Sequence, residues 1–179
     1  MDITTITEQN FEEILAGENI DSASLPRMLI EKLQENKMKV AVAESCTGGL
    51  ISKLLTDESG VSAVYDCGVC SYANSIKEKL LNVSPETLSV FGAVSAQTAF
   101  EMAQGIRTLA QADMGIATTG VAGPTGGTDE KPVGLVYIGI SAKDKTWVIK
   151  ADFTAKNNNR CKNRQLASAL AIYCGFASI

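Results

Sequence analysis

The segment MKVAVAESCTGGLISKLLTD, residues 38–57, constrains the architecture more than any other stretch of the chain. An uncharged, partly β-branched run ends at Glu44. A serine, a cysteine and two glycines follow, and Leu50, Leu54 and Leu55 then recur at helical spacing. A strand that passes through a tight turn straight into a helix is the building unit of a layered α/β fold. The strand is apolar without alternation, which places it inside a sheet covered on both faces.

The rest of the chain repeats that unit. Ala63 to Tyr72 reads as a second strand and Ser75 to Leu81 as a helix. SPETL forms a capped turn at Ser84, and a long helix capped by Ser95 has Ala96, Ala99, Met102, Ala103 and Ile106 on its apolar side. MGIATTG is a third strand. VAGPTGGTDEKP, residues 121–132, is a Gly- and Pro-rich loop, long enough inside a compact domain to suggest that it has a task. GLVYIGISA and TWVIKADF, joined by KDK, form an antiparallel hairpin, and Asn163 to Phe176 a closing helix. The expected fold is therefore α/β: a three-layer α/β/α sandwich on a mixed, mostly parallel sheet with an antiparallel hairpin. Residues 1–24 read as a leader with one short helix, capped by Thr7, apolar through Phe11, Ile14 and Leu15, and stopped by Gly17. Residues 25–179 form the main domain, its first helix carrying Pro26 in the opening turn.

Composition removes whole classes of chemistry. With 179 residues and 45% hydrophobic content, one core is the default. The net charge of −4 gives no attraction to a nucleic-acid backbone, so no nucleic-acid partner is expected. The acidic N-terminus and the lack of an apolar run of about 18 residues argue for a cytoplasmic protein without a membrane span. Five cysteines without dense clustering read as reduced thiols, the CxxC of Cys67 and Cys70 included. The chain has no histidine. Ser-His-Asp and Cys-His catalysis and histidine-ligated zinc are thereby excluded, and neither a metal nor a cofactor is expected.

Any acid-base work falls to Lys, Tyr, Asp, Glu or Cys. Ser45 stands between strand and helix at the C-terminal edge of the sheet, the edge where α/β folds bind ligands. A helix start there offers N–H groups for a phosphate or an oxyanion. The same residues also suit plain structural work, Ser45 and Thr47 as caps and Gly48 and Gly49 as close-packing residues. A serine nucleophile without histidine needs another base, such as a desolvated lysine. Lys77 follows the second strand at the same edge, with Tyr72 and Asn74 beside it. Lys77 also fits as a solvated helix lysine and Tyr72 as a half-buried strand aromatic. The long loop adds Thr119, Gly120, Gly123, Gly126 and Gly127, small enough for backbone N–H groups to approach an anion, and Arg160 and Arg164 lie at helical i, i+4 spacing.

Taken in order, AESCTGGL, YANSIKEKLLNVS, GAVS and TTGVAGPTGGTDEKPVG resemble the CinA C-terminal domain family, the nicotinamide mononucleotide deamidases, over roughly Leu25 to Phe176. The resemblance implies a homodimeric, metal-free amidohydrolase that converts nicotinamide mononucleotide, a small-molecule nucleotide substrate, to nicotinate mononucleotide and ammonia. It makes Ser45 the nucleophile and Lys77 its base, with Tyr72 orienting the lysine or relaying a proton. Backbone N–H groups around Cys46, Thr47 and Gly48 would hold the oxyanion. Asn74, Thr119, Gly120, Gly126, Gly127 and Arg160 fall to substrate binding, Arg160 on the phosphate.

The chain departs from the family pattern after Phe153. FTAKNNNR stands where the family has F-S-G-D-R, and NSIK replaces NEAK. Two readings follow, an active deamidase and a catalytically silent paralogue that keeps the nucleotide site as a binding or regulatory protein.

Overall fold

Alternation along Val40–Glu44 settles how the layers form. In the computed structural model, which describes residues 3–155 and 158–179, this fully buried strand sends Val40 and Val42 to one face and Ala41 and Ala43 to the other. It is β2 of a six-stranded sheet with β1 (Thr4–Thr7), β3 (Tyr65–Cys70), β4 (Met114–Gly120), β5 (Leu135–Ser141) and β6 (Thr146–Asp152), in the order β1-β6-β5-β4-β2-β3. β2 pairs parallel with β3 and β4, and β1 parallel with β6, whereas β5 runs antiparallel to both of its neighbours. The expected hairpin is thus β5–β6, set beside a parallel trio.

Helices cover both faces. α2 (Leu25–Glu35), α3 (Leu50–Thr56) and α7 (Arg160–Ala177) bury Leu29, Leu33, Ile51, Leu55, Leu170 and Ala171 against Val40, Val42, Ile116 and Ile138. α4 (Asn74–Leu81), α5 (Pro85–Val90) and α6 (Ala96–Ala110) lie on the other side, where Leu81, Leu88, Met102 and Ile106 meet Ala41, Ala43 and Ala117. That second face is built of small residues because α6 lies almost on the sheet. A Cβ at Gly115 would stand 2.2 Å from the Ala103 carbonyl, and one at Gly139 would stand 2.3 Å from that of Ala99. The result is the three-layer sandwich, and the closing helix begins at Arg160 rather than Asn163 because Asn159 caps it by accepting from the Lys162 N–H. β3 is shorter than its apolar run suggested, since Val61–Ala63 forms a single helical turn before it. The five cysteines are free thiols.

The N-terminal segment holds more than the expected helix. TTIT forms β1, an edge strand whose Thr4 to Thr7 run beside Ile149 to Asp152. Thr7 then caps α1 (Glu8–Gly17) in a reciprocal pair with Asn10, and Phe11 and Leu15 enter the main core, Phe11 with its ring centroid 5.8 Å from that of Tyr173. Four residues are too short a run to show strand periodicity, so β1 leaves no signal in the sequence alone. Phe11→Ala should cost about 3 kcal/mol, the low end for a buried Phe→Ala change. In a chain of this length that lowers the melting temperature by roughly 6–12 °C, checked by thermal denaturation.

Candidate active site

β2 and β4 end side by side, and their ladder continues one residue further as the Ser45 N–H donates to the Thr118 carbonyl at 3.0 Å. Ser45 is thus held at the C-terminal edge of the sheet, as expected. Beyond it the chain turns through Gly48 and Gly49, both left-handed, with φ of +60° and +91°. A side chain would be strained at either position.

The start of α3 does not serve as an anion site. Glu44 turns its buried carboxylate back under the turn and accepts from the N–H groups of Gly49 (2.9 Å), Ile51 (3.1 Å) and Ser52 (2.8 Å) and from the Ser52 hydroxyl (2.7 Å). The helix end that the sequence offered to a phosphate is occupied from within. Ser45 and Thr47 are not its caps either: Gly49 holds the cap position, and the Thr47 hydroxyl pairs with that of Thr118 at 2.8 Å. The N–H groups of residues 46–48 reach no backbone acceptor among the described residues.

Lys77 enters from α4 and is 1% exposed. Its Nζ lies 2.6 Å from the Ser71 carbonyl, 3.2 Å from the Tyr72 carbonyl and 3.2 Å from Ser45 Oγ. Burial lowers its pKa from the usual lysine value, since an ammonium is costly to take out of water. Burial alone drives the shift, and the Coulombic influence of Cys46 opposes it. An ammonium would donate to all three oxygens, whereas a neutral amine would donate to the two carbonyls and accept from the Ser45 hydroxyl; the same contacts serve both forms, and it is burial that favours the amine. Cys46 is also buried, and burial pushes its thiol up to about 12, so it stays protonated and does not compete as a nucleophile.

Thr119 forms the far wall. Its hydroxyl donates to the Ala93 carbonyl at 2.6 Å and ties the end of β4 to the segment before α6. Lys131 makes a second tie across the long loop, its Nζ donating to the Phe91 carbonyl at 2.7 Å. Ser45, Cys46, Tyr72, Lys77, Thr119, Gly120, Gly126 and Arg160 together line one cavity of about 270 Å³. Thr47, Gly48, Asn74 and Gly127 are outside that lining. Asn74 is exposed at the first turn of α4, and Gly127 packs against Val133, where a Cβ would stand 2.8 Å from the backbone nitrogen. A larger hollow of about 940 Å³ lies at the opposite edge of the sheet, beside Thr4, Asp113 and Trp147. Its lining includes Ser178, Lys143 and Lys145, but both lysines are exposed and the Ser178 hydroxyl donates to the Gly175 carbonyl, so the buried, hydrogen-bonded serine and lysine of the smaller cavity are the better candidates.

The Tyr72 side chain is 67% exposed and accepts from Arg160 Nη2 at 3.2 Å, so it stands at the mouth of the cavity and not against the lysine. The backbone carbonyl of Tyr72, not its phenol, orients Nζ. Arg160 is correspondingly at the rim, at the first turn of α7. Within the FTAKNNNR segment that leads to it, Lys156 and Asn157 lie outside the described residues. Several contributors carry no signal of this role in the sequence. Ala93 and Val94 join the lining, Asn163 donates to the Ala122 carbonyl at 3.1 Å, and Arg164 donates to the carbonyls of Thr47 and Gly48.

Residues 22–175 match the model of the CinA C-terminal domain. A protein of Thermoanaerobacter pseudethanolicus named as competence-damage inducible is 49% identical over 153 residues, which is 86% of this chain and 37% of that protein. A CinA-like protein of Desulfovibrio desulfuricans is 42% identical over 160 residues, 89% of this chain and 37% of its own length. The chain therefore spans well under half the length of these curated relatives. Among solved structures, the competence/damage inducible protein CihA of Agrobacterium tumefaciens superposes with a TM-score of 0.84 at 39% identity, covering 87% of this chain and 94% of that one. A CinA superfamily protein of Klebsiella pneumoniae gives a TM-score of 0.83 at 32% identity, covering 88% and 97%.

Proposed function

The chain belongs to the CinA C-terminal domain family, and from that premise we propose that it is an amidohydrolase that deamidates nicotinamide mononucleotide through a Ser45–Lys77 dyad. The observation that carries this reading is the buried Lys77 Nζ, held by two carbonyls 3.2 Å from Ser45 Oγ.

In the proposed cycle Lys77 takes the Ser45 proton as Oγ attacks the carboxamide carbon. N–H groups of the 46–48 turn stabilise the oxyanion, and the protonated lysine returns its proton to the departing ammonia. Water, deprotonated by the same amine, then hydrolyses the acyl-enzyme. A cavity of about 270 Å³ is at the small end for ligand sites, so it would enclose the nicotinamide and part of the ribose. The phosphate then reaches the rim, where Arg160 offers a guanidinium. Tyr72 serves this reading as a rim contact, and the protein works as a cytoplasmic homodimer without a metal or cofactor.

A second reading, a silent nucleotide-binding paralogue, draws on the altered FTAKNNNR segment in front of Arg160. Ammonia release from nicotinamide mononucleotide, measured beside a thermal-shift titration with the same nucleotide, separates the two. Release of ammonia is the expected result; stabilisation without release would overturn the deamidase reading in favour of the binder.

A further inference from the structure

Arg164 approaches the serine turn from the opposite side to Lys77. Its Nε donates to the Thr47 carbonyl at 2.7 Å, and its Nη2 to the same carbonyl and to that of Gly48 at 3.3 Å. In a trans peptide the C=O and the following N–H point opposite ways. The peptide between Gly48 and Gly49 is therefore gripped at both ends, its carbonyl by Arg164 and its N–H by the Glu44 carboxylate. The peptide before it has its carbonyl fixed by the same guanidinium, so the Gly48 N–H is turned away from Arg164. These are the peptides of the left-handed glycines, and the one backbone bond that closes their turn, from the Leu50 N–H to the Thr47 carbonyl, is long at 3.3 Å.

The geometry points to Arg164 as a positioning residue of the serine turn: by fixing two successive peptide planes, the second of them also held by Glu44, it sets the direction of the Gly48 N–H. This goes beyond the proposed reaction, though its kinetic consequence rests on that reading. A guanidinium suits the task because its planar fork spans two carbonyls; a lysine offers a compact charge that does not reproduce the fork. The fit is close from the turn's side as well, since a Cβ at Gly48 would stand 3.2 Å from Arg164 Nη2.

The test uses the full chain and two readouts. In the first, hydrogen exchange at the Gly49 and Ile51 amides is compared between wild type and Arg164→Ala, with Arg164→Lys as a milder variant should the first fold poorly. Faster exchange at these amides, with the α6 amides unchanged, supports the positioning role whether or not the protein deamidates anything. Unchanged exchange overturns it. In the second, Arg164→Ala should lower kcat for ammonia release about 10²-fold, the scale of a misplaced reacting group. KM should change less than about threefold, and added guanidinium ion should restore part of kcat. A raised KM with kcat intact would overturn the proposal by making Arg164 a substrate contact. Absence of turnover in the wild type would count against the deamidase reading alone, because the exchange measurement still decides the role of Arg164.

Discussion

Ser45→Ala should lower ammonia release from nicotinamide mononucleotide by at least about 10⁴-fold, since loss of a nucleophile removes the covalent route and leaves only binding and oxyanion stabilisation. The melting temperature should move little. Ser45 caps no helix, and its backbone N–H, the group that extends the sheet ladder to Thr118, is kept in the variant. A capping serine would behave in the opposite way, costing about 1 kcal/mol of stability with activity retained. The two outcomes separate catalysis from structure in one pair of measurements, a coupled ammonia assay and a thermal melt. Combining Ser45→Ala with Lys77→Ala should add almost nothing to the loss, because the two residues act on a single proton. Multiplying losses in the double variant would sink the dyad.

The layers and the hairpin were legible because their signals are local. An apolar strand, a glycine turn and a helix-periodic stretch recur within short windows, and the resulting sheet-edge placement alone brings Ser45 and Lys77 together. What escaped were features decided by tertiary partners. β1 is only four residues long and gains its identity from β6. The sequence offered the start of α3 as an anion site, but a carboxylate five to eight residues upstream of the N–H groups had already satisfied them. An acidic residue directly before a helix turn was the available signal, since the dipole favours negative charge there. Tyr72 shows the converse limit. The residue does lie beside the lysine in the chain's fold, yet its carbonyl and not its phenol makes the contact, and no side-chain pattern encodes which atom of a residue will be used. Arg164 was visible as the partner of Arg160 in spacing, but spacing does not say that one faces the rim and the other the serine turn.

Lys77→Arg should abolish turnover as fully as Lys77→Ala, a loss of at least about 10⁴-fold, because a guanidinium keeps the charge but does not release its proton within any working pH range. A lysine that only anchored the Ser71 and Tyr72 carbonyls would be partly replaced by arginine, so retained activity in this variant would rule out a base. The pH dependence follows from burial. The amine form is the active one, and burial lowers the Lys77 pKa from the ordinary 10.5. The rate should therefore rise with pH and level off below that ordinary value, a limb absent from a reaction that needs no amine base. The same shift bears on stability with a fixed sign. Between the folded pKa and 10.5 the unfolded chain binds more protons at this lysine than the folded one, so folding gains stability as pH rises through that window. Below the folded pKa the full cost of burying an ammonium remains. Lys77→Met removes the titrating group, and melting temperatures taken across the alkaline range should lose this upward slope relative to wild type. A slope that persisted in the methionine variant would assign it to another group and leave Lys77 an ordinary, always-charged lysine. The limb in the rate and the slope in the melting temperature must therefore disappear together, since both read the proton that one buried nitrogen gives up.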